Sequence, residues 1–167
     1  AHGLPIVRYR VYKRRELDKE QPRIEDEIER ELGYPCFVKP ANLGSSVGVS
    51  KVHDRSELGP ALLLAASYDR KIVVEEGINA REIECSVLGN DEPEASVPGE
   101  IIPCNEFYDY NAKYVDGRSE LVIPAPLPDA LAQRIRQLAI QAFIALDCAG
   151  MARVDFLLDR DTLDVYV

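Results

Sequence analysis

Apolar residues along this chain fall mostly into short alternating runs, interrupted by three stretches with a helical period. Ile6-Val-Arg-Tyr-Arg-Val-Tyr12 alternates and predicts a strand. Between Pro22 and Gly33 the spacing changes: Ile24, Ile28 and Leu32 recur every four residues among Glu and Arg, which predicts a helix with a solvated face. Tyr34 to Val38 is apolar, aromatic and β-branched after a glycine, and reads as a strand, with Val47 to Val52 as its return partner. Asp54-Arg-Ser-Glu57 reads as a capping box opening a helix to about Ser67, which requires Pro60 to sit in its first turn. Lys71 to Glu75 predicts a buried strand that runs into a connector, Glu75-Glu-Gly-Ile-Asn79. Arg81 to Leu88 alternates, with Ile83, Cys85 and Val87 on one face and Glu82, Glu84 and Ser86 on the other.

Further on, Ala95–Val97 and Glu100–Cys104 read as strands around Pro98-Gly99, and Leu121–Ile123 as another. Residues 105–120 are polar and tyrosine-rich with no clean period, which predicts a compact loop packed on its own side chains, a frequent build for lids. Leu131, Ile135, Leu138, Ala142, Phe143 and Leu146 make the clearest apolar stripe, a helix from about Asp129 to Leu146. Ala152 to Leu158 is a strand with Arg153 and Asp155 facing away from Val154 and Phe156. A turn at Asp159-Arg-Asp-Thr then leads to a last strand, Leu163–Val167.

Composition narrows the classes. The chain has 167 residues, 46% hydrophobic and 29% charged, so it can bury a core in one or two small domains. A net charge of −9 argues against nucleic acid as a partner, whereas a small anion held by a few placed cations is compatible. The four cysteines, Cys36, Cys85, Cys104 and Cys148, match no zinc spacing and read as buried free thiols in a reducing compartment. No basic-then-apolar leader and no membrane-length apolar run is visible, so a soluble cytoplasmic protein with no membrane partner is expected. The first residue is not methionine and Leu163–Val167 ends without a turn or cap, so a piece of a longer protein is expected.

Candidate chemistry centres on Asn42-Leu-Gly-Ser-Ser-Val-Gly48, which follows Lys39-Pro40. Glycines and hydroxyls there can wrap phosphate oxygens while Lys39 adds a point charge; a plain Gly/Ser hairpin turn fits the same residues. The loop is neither a Walker loop nor a dinucleotide fingerprint. Lys113 is a second separate cation. Arg153 and Asp155 fit either a wet cleft, with Asp155 on Mg²⁺ and Arg153 on an oxyanion, or an exposed ion pair. Glu75 and Glu82 are placed to meet ribose hydroxyls and the Glu76–Ile78 backbone to meet an adenine edge; surface acids are the plainer reading.

Taken together, Phe37-Val-Lys-Pro, Gly44-Ser-Ser-Val-Gly48, Val74-Glu-Glu-Gly-Ile78, Arg81-Glu-Ile-Glu84, Phe107-Tyr-Asp-Tyr-Asn-Ala-Lys-Tyr114 and Ala152-Arg-Val-Asp155 resemble, in order, the motifs of D-alanine–D-alanine ligases of the ATP-grasp superfamily. The resemblance implies an α+β ATP-grasp fold of two subdomains with antiparallel sheets, packed helices and ATP between them. It divides the chain into a lead-in (1–17), a small subdomain (18–76) and a large one (77–167). It implies that Lys39 and Lys113 contact ATP phosphates, that Ser45 and Ser46 cover them, and that Ser45 also orients the site. Glu75, Glu76 and Ile78 match the adenine-side linker, Glu82 the ribose carboxylate, Tyr114 the closing loop, Arg153 the arginine at the transferring centre, and Asp155 one ligand of Mg²⁺ (or Mn²⁺). The family's reaction phosphorylates one D-alanine from ATP and joins a second through the acyl phosphate, for peptidoglycan synthesis. Family members are commonly homodimers.

The family's N-terminal domain and its last Glu-x-Asn metal ligands lie outside this sequence, so ligation by this chain alone is not expected. A D-alanine–D-lactate ligase and a non-catalytic nucleotide-binding module are the alternatives.

Overall fold

In the computed structural model, residues 2–103 and 119–167 are described. The chain divides into two compact units, one built on Val7–Ile78 and the other on residues 2–6, 79–103 and 119–167.

The first unit runs β1 (Tyr9–Lys13), α1 (Arg14–Glu31), β2 (Cys36–Pro40), β3 (Ser50–Val52), α2 (Arg55–Tyr68) and β4 (Lys71–Glu76). Its strands form one antiparallel sheet in the order β1-β4-β2-β3. The two-residue alternation turns Tyr12, Cys36, Val38, Val52, Ile72 and Val74 onto the helices, where Leu17, Ile24 and Ile28 of α1 and Leu58, Leu62 and Ala65 of α2 complete the core. The other face carries Tyr9, Val11, Phe37, Lys39, Val73 and Glu75.

β1 begins at Tyr9 rather than Ile6, and β2 runs two residues further along the chain than expected, taking in Lys39 and Pro40; three other elements depart further. The first helix starts at Arg14, well before Pro22, and bends at Glu20, whose φ of −135° and ψ of 25° are non-helical. Pro22 lacks an N–H and crowds the preceding turn, so two helical segments meet at the bend. The early segment is anchored by the Glu16 carboxylate, which accepts the Lys13 N–H (2.7 Å), and by buried Leu17; among charged neighbours a single leucine shows no period. Pro60 lies in the second turn of α2 rather than the first, with its ring exposed to solvent, and the helix continues through it. At the start of α2, Asp54 accepts the Ser56 N–H (2.8 Å) while Glu57 reaches past the cap to the His53 N–H (2.8 Å). The return strand is only Ser50–Val52, because Ser45, Ser46 and Gly48 have φ of 57°, 58° and 71° and hold 41–49 as a loop.

The second unit runs β5 (Ala80–Gly89), β6 (Glu94–Ala95), β7 (Gly99–Ile102), β8 (Glu120–Val122), α3 (Asp129–Ala145), β9 (Gly150–Asp159) and β10 (Val165–Tyr166). The sheet order is β10-β9-β5-β7-β8, with β6 also on β5. Strands β5 and β9 pair along their whole length, from Ala80 opposite Asp159 to Gly89 opposite Gly150. Ile83, Cys85 and Val87 of β5 and Val154, Phe156 and Leu158 of β9 pack with Ile135, Ala139 and Phe143 of α3. β7 begins one residue earlier than expected, with Gly99 opposite Glu84, and β8 begins one earlier, with Glu120 opposite Ile102. The expected final strand contracts to Val165–Tyr166, because Asp159 accepts the Asp161 and Thr162 N–H groups (2.8 and 2.9 Å) and widens the turn. Cys36 and Cys85 are buried free thiols and Cys148 is a half-buried one; Cys104 lies outside the described residues. Among the described residues no helix is long and apolar enough to cross a membrane.

Candidate functional site

In the first unit, Lys39 stands on β2 opposite Val73, on the face turned away from the helices. Its Nζ lies 2.6 Å from Glu75 Oε2, a diagonal pair between neighbouring strands. The loop that follows is fixed at both feet by the segment that ends α2. At one foot, Ala41 N–H donates to the Lys71 carbonyl (3.0 Å), and Asn42 donates from its backbone and its side chain to Asp69 Oδ2 (2.9 and 2.7 Å). Burial pushes the Asp69 carboxyl up, but the N–H donors of Lys71 and Asn42 outweigh it and hold the group below its ordinary range. At the other foot, Gly48 lies against Tyr68, where a Cβ would meet Cδ2 at 2.6 Å. Between the feet, Val47 N–H donates to Gly44 (3.2 Å) and Val49 N–H to Ser46 (3.3 Å), so two turns present Ser45 and Ser46 at the crest.

Beyond Glu75 the connector is held from two sides. Glu76 N–H donates to the Arg8 carbonyl (3.0 Å) and Gly77 N–H to the Pro35 carbonyl (2.8 Å). A Cβ on Gly77 would sit 2.7 Å from that same Pro35 oxygen, so the close approach requires glycine. Ile78 is the first connector residue whose N–H, among the described residues, donates to no backbone carbonyl. The Glu76 carboxylate is taken by Arg8.

In the second unit, the face of β5 and β9 opposite the core carries Glu82, Glu84, Arg153 and Asp155. Glu84 and Asp155 are register partners. Two carboxylates set side by side repel, and Arg153 bridges them: Nε and one terminal nitrogen reach the two Asp155 oxygens (2.7 and 3.0 Å), while the other terminal nitrogen reaches Glu84 (3.1 Å). Glu82 stands opposite Leu157 of β9 and Ile101 of β7. Among the described residues no three His, Cys, Asp or Glu side chains gather as a cation site. Asp155 and Glu84 are adjacent hard oxygen donors of the kind Mg²⁺ takes, and Arg153, which holds both, would have to give way to a cation there.

The core face of the same sheet holds a separate ion pair. Arg81 donates from Nε and a terminal nitrogen to the two Glu100 oxygens (2.7 and 2.6 Å), and further to the Pro126 carbonyl (3.3 Å). The Arg81 guanidinium holds the Glu100 carboxyl below its ordinary range despite burial.

Lys39 and Glu75 are thus brought together, Ser45 and Ser46 share one loop crest, Glu76 and Ile78 share the connector, and Glu82, Arg153 and Asp155 share one sheet face. Lys113 and Tyr114 lie outside the described residues. Three residues had no assigned role in the sequence: Arg8, Asp69 and Glu84. For Glu84 a signal was present, since its alternation with Glu82 put it on the polar face.

The comparisons with known proteins agree with one another. A family model described as the D-ala D-ala ligase C-terminus matches residues 1–166. The chain is 61% identical over 166 residues to a D-alanine–D-alanine ligase of Thermoanaerobacter sp. (strain X514), covering 99% of this chain and 46% of that protein. It is 53% identical over 165 residues to the ligase of the same name from Chloroherpeton thalassium, covering 99% of this chain and 45% of that one. The crystal structure of the VanG D-Ala:D-Ser ligase from Enterococcus faecalis superposes with a TM-score of 0.85 at 34% identity, over 99% of this chain and 47% of that chain. The D-alanine–D-alanine ligase from Coxiella burnetii gives 0.78 at 34% identity, over 99% and 42%. The chain spans a little under half the length of the curated relatives it matches.

Proposed function

Because this chain belongs to the D-ala D-ala ligase C-terminus family and has the α+β ATP-grasp fold of its structural neighbours, we propose that it is the nucleotide-holding part of a ligase that joins two D-alanine molecules at the expense of ATP. One observation carries the reading: Lys39 stands at the foot of a glycine–serine loop whose backbone is held in left-handed turns with both feet tied down. A two-residue hairpin turn also needs positive φ at both central positions, but it favours Asn, Asp or Gly there, so serines at Ser45 and Ser46 bear a backbone cost that a phosphate-covering role accounts for.

In this reading Lys39, together with Lys113, neutralises the phosphates, and Ser45 and Ser46 close over them, Ser45 also orienting the site. The carboxylate of Glu75 and the backbone of Glu76 and Ile78 meet the adenine end, and Glu82 accepts from ribose hydroxyls. The carboxylate oxygen of the first D-alanine takes the γ-phosphoryl group, with ADP leaving. The amine of the second attacks the resulting acyl carbon, the phosphate leaves with the C–O electron pair, and the amine loses a proton. Arg153 stabilises the charge that develops on oxygen in both steps. Tyr114 helps close the site, which keeps water from the acyl phosphate. Asp155, with Glu84 beside it, would hold Mg²⁺ or Mn²⁺, which when bound offsets phosphate charge. ATP and D-alanine are then the small-molecule partners, the cytoplasm is the compartment, and a homodimer is an assembly open to the full-length enzyme.

VanG, a D-Ala:D-Ser ligase, shares this fold over the matched part, so the fold by itself does not choose between D-alanine and D-serine as second substrate. The curated relatives at 53 and 61% identity are D-alanine–D-alanine ligases, which favours D-alanine here.

The test is calorimetric titration of the chain with a non-hydrolysable ATP analogue and Mg²⁺, beside Lys39→Ala. Binding that weakens about tenfold or more in the variant supports the reading. A folded chain that binds no nucleotide refutes it.

A further inference from the structure

Arg8 makes an unusual number of directed contacts for an exposed arginine. Its backbone N–H donates to Glu76 Oε1 (2.7 Å), and its Nε donates to Glu76 Oε2 (2.6 Å). One terminal nitrogen lies 2.6 Å from the same oxygen, and the other donates to the Glu31 carbonyl (2.8 Å). Glu31 ends α1, where backbone carbonyls need donors and favour a cation. The guanidinium therefore joins the end of one helix to the end of β4. From the far side, Gly77 is pressed against the Pro35 carbonyl with no room for a Cβ. Ile78 emerges directly from between these two clamps.

With a side chain 63% exposed, Arg8 gives an ion pair of little energetic content. What it supplies is geometry: the rigid fork gives two donors to Glu76 Oε2 and a third to a helix-end carbonyl while the Arg8 backbone N–H takes Oε1, an arrangement an ammonium cannot reproduce. Burial pushes the Glu76 carboxyl up, but the Arg8 hydrogen bonds and charge outweigh that and keep it below its ordinary range, so the clasp stays closed at neutral pH.

We propose that Arg8 is a positioning residue for the base end of the nucleotide: by clasping Glu76 it fixes the path of Gly77 and aims the Ile78 backbone at an adenine edge. The proposal rests on the adenine-linker reading given above. It predicts that Arg8 matters to ligands that carry adenine and not to ligands that carry only phosphate.

The experiment titrates the full 167-residue chain and its Arg8→Ala and Arg8→Lys variants with a non-hydrolysable ATP analogue, with AMP and with inorganic tripolyphosphate, Mg²⁺ being present throughout. Arg8→Ala is expected to weaken the ATP analogue and AMP about tenfold and to leave tripolyphosphate within about twofold. Arg8→Lys, which keeps the charge and preserves folding if the alanine variant does not, is expected to recover little of the loss. Equal affinities in all variants, or a loss shared by tripolyphosphate, would overturn the proposal, the second outcome marking a merely structural role. A wild-type chain that binds tripolyphosphate but neither adenine ligand would overturn the linker reading and this inference with it. A chain that binds none of the three would refute the function proposed above.

Discussion

Lys39 Nζ lies 2.6 Å from Glu75 Oε2, so the cation at the foot of the glycine–serine loop is already neutralised within its own sheet. Phosphate and Glu75 therefore compete for one ammonium. Replacing the carboxylate while keeping its shape should release the lysine. We expect Glu75→Gln to tighten tripolyphosphate by about three- to fivefold, since a part-exposed pair of this kind is worth at most about 1 kcal/mol. Titration calorimetry reads this directly, and an unchanged or weaker affinity in a folded variant would show that Glu75 does not hold Lys39 back.

Gly48 and Gly44 offer a matched test of what the loop requires. Gly48 has a φ of 71° and its missing Cβ points at the Tyr68 ring, whereas Gly44 has nothing within 4 Å and no positive φ. Gly48→Ala should destabilise the chain by about 1–3 kcal/mol, through the left-handed backbone penalty and the displaced ring. Gly44→Ala should stay within about 0.5 kcal/mol. Urea denaturation of the two variants measures both, and equal effects would contradict the loop conformation described.

The Arg81–Glu100 pair predicts an acid limb of stability. The folded Glu100 carboxyl is held below its ordinary range by Arg81 first, against burial. The unfolded state therefore binds the proton more tightly, and the stabilisation is present above the unfolded value of about 4.3 and lost as pH falls through the folded value. Glu100→Gln should flatten that limb, and at neutral pH it should cost about 1–3 kcal/mol because the partly buried Arg81 loses its carboxylate. Urea midpoints measured from pH 7 down to pH 3 decide the point: parallel curves for wild type and variant would remove Glu100 from the account.

Much of this molecule is legible in its sequence because its strands alternate cleanly. Ile83, Cys85 and Val87 against Glu82 and Glu84, and Val154 and Phe156 against Arg153 and Asp155, identified the faces that the pairing of β5 and β9 then aligned. Strand pairing itself is not written locally, so the placing of Glu84 opposite Asp155 emerged only from the register. The early half of α1 was hidden because one leucine among charged residues carries no period. The Arg8–Glu76 clasp joins residues 68 positions apart through an arginine indistinguishable in sequence from a solvated one. The feet of the loop at Tyr68 and Asp69 were hidden for the same reason, since helix-end residues reveal their partners only once the chain has turned back.

The most direct test of the central claim is catalysis by a hybrid. The segment of the Thermoanaerobacter D-alanine–D-alanine ligase that matches this chain over 166 residues is replaced by the chain itself. The hybrid is then supplied with ATP, Mg²⁺ and D-alanine. The account predicts phosphate and dipeptide released in equal amounts, both dependent on D-alanine and both reduced on the order of 100-fold by Arg153→Ala. A folded hybrid that releases no dipeptide, or that releases phosphate equally well without D-alanine, would contradict it.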